Sequence, residues 1–124
     1  MDILRTIHNN LSMVVVFAGF IAGVWALAAH WIEGLRSDAL WLAQHIFHAL
    51  IVVQVALGGV LVGFSSVEAD GNHMFYGFLT FVGVGIIIGY RHLSEYRYLL
   101  YGIGGLFVMG LAIRAMLLNP IVGV

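Results

Sequence analysis

The stretch ALWLAQHIFHALIVVQVALGGVLVGFSSV, residues 39–67, contains no Asp, Glu, Lys or Arg. A helix rises about 1.5 Å per residue, so about 17–25 mostly apolar residues cross the hydrocarbon of a bilayer. Three more charge-free runs occupy residues 6–32, 71–90 and 98–113, and Arg114 interrupts the end of the last. Lone strands cannot span lipid, because their backbone groups would go unpaired. A β-barrel needs alternation, and Val14-Val15-Val16 and Ile86-Ile87-Ile88 do not alternate. The pattern predicts an all-α integral membrane protein with transmembrane helices near 8–32, 41–63, 73–93 and 97–117. The connections are short, Asn72 being placed to cap the third helix. Short connections force antiparallel neighbours, so the expected form is an up-down four-helix bundle in one domain, residues 1–124. Ala26-Leu27-Ala28 imitates a signal-peptide cleavage site, but the apolar run before it exceeds a signal core.

Composition agrees. Hydrophobic residues make up 62% of the 124 and charged residues 9%, where soluble domains average about 45–50% and about 25%. Mean hydropathy is +1.04. All five basic residues are arginine, and cysteine is absent. That excludes disulfides, thiolate metal sites and covalent c-type haem. A net charge of -1 excludes a nucleic-acid footprint. No Ser-His-Asp set, phosphate loop or paired carboxylate suits soluble-type catalysis, so electron transfer or an accessory role is expected rather than an enzyme. The spans lack the acidic relay of a proton-coupled transporter.

Four helices put both termini on one side. This face, A, carries Asp2, Arg5, Glu68, Asp70 and Arg114; face B carries Glu33, Arg36, Asp38, Arg91, Glu95 and Arg97. Three arginines against two place face B in the cytoplasm by the positive-inside rule, with the termini outside a bacterial inner membrane. Trp25, Trp31, Trp41, Tyr90, Tyr96, Tyr98 and Tyr101 gather toward face B, as an interfacial aromatic belt does. Glycines four apart, Gly19/Gly23, Gly59/Gly63 and Gly85/Gly89, predict close helix packing, or room cleared for a flat cofactor. Gly102, Gly104, Gly105 and Gly110 encircle the fourth helix, which packing on one neighbour alone would not need.

Six histidines stand out. His8 and His73 open helices one and three from face A, so their rings can share one depth. His8 shares a face with Ser12, Val15 and Gly19, and His73 with Tyr76, Gly77 and Thr80. Two imidazoles over strips of mainly small residues suit a b-type haem, whose iron takes one nitrogen from each side. Arg5 and Arg114 are the expected partners of its propionates; Arg114 could instead snorkel or pair with Glu68 or Asp70. His45 and His48, three apart on one helix face, could join His30 or His92 in holding copper, zinc or a second haem. Headgroup-level rings holding nothing are the plainer reading of His30 and His92. Histidine ligation of chlorophyll magnesium is a variant. Gln54, mid-span, seeks an interhelical partner worth about 0.6–2 kcal/mol.

These residues carry a resemblance. Ile7-His8, Gln54-Val55-Ala56-Leu57-Gly58 and His73-Met74-Phe75-Tyr76-Gly77 resemble the motifs in one four-helix half of haem A synthases and related b-type cytochromes. There a first histidine, a Gln-x-x-Leu-Gly stretch and a second histidine follow in that order. The spacing of 65 between His8 and His73 is similar to the family's. The likeness covers residues 5–90. It departs where Arg5-Thr6-Ile7 stand in place of the synthase's glutamate, and the chain matches only one half. It therefore implies a haem-holding bundle and not methyl oxidation. The chain also resembles small four-span membrane proteins of actinobacteria. The expected partners are the lipid bilayer, a respiratory or photosynthetic complex or a second copy, and quinone, with haem b as cofactor. The alternatives are a cofactor-free scaffold subunit and a histidine-based metal-binding protein.

Overall fold

A computed structural model describes residues 2–65 and 68–118, with only the backbone of Ser94. It consists of α1 (Asp2–Trp31), α2 (Asp38–Phe64), α3 (Gly71–Gly89) and α4 (Arg97–Leu117), with 3-10 turns at Glu33–Leu35 and Ser94–Tyr96. Each of the four helices is long and apolar enough to cross a membrane. No strand occurs among the described residues.

Three expected boundaries move. α1 begins at Asp2, so His8 lies well inside the helix rather than at its start. α3 stops at Gly89, and Arg91 turns back to donate from Nη1 to the Ile88 carbonyl at 2.7 Å. His92 therefore falls in the following turn. α2 begins at Asp38, three residues early, because Ser37 caps it; its Oγ accepts the Leu40 N–H at 3.3 Å. The cap of α3 is Asp70 and not Asn72: Asp70 Oδ2 accepts the Asn72 N–H at 3.1 Å.

Glycine sets the packing. A Cβ on Gly102 would lie 2.6 Å from the Leu27 backbone nitrogen, and one on Gly23 would lie 2.8 Å from the Leu106 side chain. At Gly19 it would lie 2.8 Å from the Phe47 ring and 3.0 Å from Met109. These residues let α1 and α4 approach backbone to backbone, the closest association small residues permit in lipid. On another side of α4, Gly104 meets Ile87 and Val108 meets Gly83, both on α3. α4 thus packs between α1 and α3, which explains glycines on several of its faces. The core gathers Val15, Ala22, Phe47, Ile51, Val84 and Val108. Of the spaced pairs, only Gly19/Gly23 is filled by neighbours; Gly59, Gly63, Gly85 and Gly89 face open space.

Two glutamines fix the register of α2 on α1. Gln44 Nε2 donates to the Ala22 carbonyl at 2.8 Å, and Gln54 Nε2 to the His8 carbonyl at 2.7 Å. By contrast, α2 and α3 meet only sparsely. The bundle is tight along α1–α4–α3 and open between α2 and α3.

Candidate functional site

That opening is a cavity of about 630 Å³, within the range of about 300–1,000 Å³ usual for ligand pockets. Gly58, Gly59, Gly63 and Gly77 thin its walls, and Val15 and Ile51 belong to both the wall and the core. Among the described residues, Arg5 is the one formally charged residue lining it; Asn9, Ser12 and Thr80 add polar atoms. Ser12 and Thr80 spend their hydroxyl protons on the Asn9 and Gly77 carbonyls one turn back.

His8 and His73 both line this cavity. Their ring centres are 6.3 Å apart and their planes cross at 81°. Two imidazoles on opposite sides of one metal, each bonded at about 2.0–2.1 Å, have centres about 6 Å apart. The separation of the ring centres matches that spacing.

The two rings are held differently. His73 Nδ1 lies 2.6 Å from the Ala115 carbonyl on α4. A carbonyl only accepts, so the proton sits on Nδ1 and the Nε2 lone pair is left free. A ligating histidine is commonly oriented in this way. His8 Nδ1 is buried with no hydrogen-bond partner. Its ring is placed instead by α2: Gln54 holds the His8 backbone, and a Cβ on Gly58 would lie 3.2 Å from His8 Cε1. The two ends of the Gln54–Gly58 stretch thus meet the same histidine.

Arg114 is not among the residues lining the cavity. It is exposed, with its guanidinium carbon 5.8 Å from the Tyr76 ring centre, and Tyr76 also lies off the wall. Arg114 forms no ion pair with Glu68 or Asp70. Its neighbour Ala115 faces inward and serves His73. On a helix, adjacent residues point about 100° apart, so one of the two had to turn outward.

The other histidines do not join this pair. His48 is buried, 6% exposed, and stacks on Tyr101 at 5.5 Å and 21°. His45 is exposed and donates from Nδ1 to the Trp41 carbonyl at 2.5 Å. His30 lies edge-on to Trp31 at 4.8 Å, and His92 is exposed. Among the described residues no three His, Cys, Asp or Glu side chains gather to hold a metal ion. The aromatic belt is partly internal: Tyr98, Trp41 and Tyr101 are in ring contact in succession, at 5.2 and 5.0 Å, and Tyr101 is 5% exposed. The sequence reading missed Gln44, which is wholly buried, with Oε1 unpartnered. Nothing in the pattern separates it from Gln54 beyond its nearness to a helix start.

No family model, curated protein or solved structure matches this chain.

Proposed function

We propose that this chain is a membrane subunit that binds one b-type haem between His8 and His73 and exchanges electrons with quinone or a partner complex. The observation that carries this reading is the pair of imidazoles 6.3 Å apart on the wall of one glycine-walled cavity. Bound haem supplies one-electron exchange, with a potential set by its ligands and burial. The protein's residues do the holding. The Ala115 carbonyl fixes the His73 tautomer, Gln54 and Gly58 place His8, and the open glycines admit a flat ring. Of the expected pair, Arg5 and Arg114, it is Arg5 that lines the cavity and serves as the cation for a propionate. The apolar wall raises the strength of each electrostatic contact inside it.

The resemblance to one half of haem A synthase agrees with this ligand set and extends no further. By the positive-inside rule, we assign the face with Arg36, Arg91 and Arg97 to the cytoplasm of a bacterial inner membrane, with the termini outside.

The test is a reduced-minus-oxidised spectrum of the purified chain beside His8→Ala and His73→Ala. Loss of the sharp α-band in both variants is expected. His8→Ala should still retain haem on the anchored His73, and His73→Ala should lose most of it. A wild-type chain without a Soret band or iron, always copurifying with larger subunits, overturns the proposal in favour of a cofactor-free scaffold. An α-band unchanged in both variants overturns the ligand assignment.

A further inference from the structure

At face B two arginines converge on one ring. The Arg36 guanidinium carbon lies 4.6 Å from the Tyr98 ring centre, and that of Arg97 lies 5.5 Å from the same centre and 4.6 Å from Trp41. The two like charges are therefore within roughly 10 Å of each other, no more than about a Debye length at ordinary salt. Neither forms an ion pair among the described residues, although Glu33, Asp38 and Glu95 share this end of the bundle.

Arg36 is half engaged. Its Nε and Nη2 donate to the Ala29 and His30 carbonyls at 2.8 and 3.0 Å, closing the end of α1. Arg97 hydrogen-bonds to nothing among the described residues, and its Nε is buried without a partner. A buried guanidinium N–H left unpaired is costly, more so than a neutral group. α4 also begins at Arg97, and its N-cap, Tyr96, contributes no side-chain bond. The positive end of the helix dipole thus adds to the two guanidinium charges.

This arrangement asks for an anion with several acceptor oxygens. Guanidinium groups match phosphate in both charge and geometry. Trp41 and Tyr98 are half-buried rings at the end of the bundle where α2 and α4 begin, and Trp and Tyr gather at the level of a membrane where lipid phosphates lie. We infer that Arg36 and Arg97, gathered around Tyr98, form a headgroup site for an anionic phospholipid. The lipid phosphate accepts from the Arg97 Nη groups, which unlike Nε are not buried, and offsets the repulsion between the two cations. This site lies at the opposite end of the bundle from the cavity and does not depend on haem.

The experiment compares the chain in nanodiscs of pure phosphatidylcholine with discs containing phosphatidylglycerol, reading thermal unfolding, and counts retained lipid by native mass spectrometry. Phosphatidylglycerol should raise the unfolding temperature and remain bound. An arginine in direct contact with an anionic headgroup contributes enough to change affinity about fivefold. Arg97→Gln and Arg36→Gln should therefore each weaken retention about fivefold, and Arg114→Gln, which removes the same charge at the other end, should not. Arg36→Lys separates the roles: it keeps the charge and loses the α1 closure, so lipid preference should survive even if stability falls. Equal behaviour in the two lipids overturns the inference. So does Arg97→Gln behaving like Arg114→Gln, or millimolar inorganic phosphate reproducing the whole effect in phosphatidylcholine.

Discussion

Gly102→Ala tests the packing that holds the site together. A Cβ at this position would lie 2.6 Å from the Leu27 nitrogen and 2.7 Å from its Cα, where carbon contacts are comfortable at about 3.5–4.0 Å. The obstruction is backbone, so no rotamer change relieves it, and α1 and α4 must part by about 1 Å. Overpacking of this kind costs about 1–3 kcal/mol, and an unyielding neighbour puts it at about 2–3 kcal/mol. Alanine also recovers up to about 1 kcal/mol of helix propensity over glycine. Gly110→Ala makes the same chemical change on the same helix at a position with nothing within 4 Å. Subtracting the two cancels propensity and leaves the steric cost of about 2–3 kcal/mol. The assay is reversible unfolding in mixed micelles by SDS titration, followed by the fluorescence of Trp25, Trp31 and Trp41. If the two variants unfold within about 0.5 kcal/mol of each other, the close α1–α4 approach is wrong.

Gln44→Leu removes a bond to the Ala22 carbonyl together with the unpartnered Oε1. That carbonyl keeps its place in the α1 ladder, so the cost in the same assay should be at most about 1 kcal/mol; a loss above about 2 kcal/mol would show that Oε1 holds a buried partner such as water. Gly58→Ala puts a methyl 3.2 Å from His8 Cε1, tight enough to shift the ring but not to part the helices. The His8 Hε1 resonance should move while stability changes by less than about 1 kcal/mol, and an unmoved resonance would mean that Gly58 does not position the ring.

The four spans were legible because a charge is hard to place in hydrocarbon, so its absence over a long run has few other causes. Their ends were less so. Hydropathy reports only the length of an apolar run, and α1 continues beyond that run through Thr6 and Arg5 to Asp2. The meeting of His8 and His73 was legible from topology, since two helices entered from one face put their early turns at similar depth, although His8 lies a turn deeper in α1 than its expected place at the start. The support of His73 was not, because its partner is a backbone carbonyl on another helix, and a carbonyl has no residue letter. Arg114 misled for a related reason: its charge drew attention to the position, while the inward-facing contribution came from the alanine beside it. Of the three glycine pairs, spacing alone could not tell Gly19 and Gly23, filled by Phe47 and Leu106, from those that border open space.

The Ala115 carbonyl that holds His73 also has a consequence for biogenesis. α1, α2 and α3 leave the ribosome before it, yet the cavity they line lacks its anchored histidine until α4 has entered the membrane and docked. The complete cavity, with His73 anchored, therefore exists only once all four helices have packed together. The sparse contact between α2 and α3 leaves that side of the cavity the least closed.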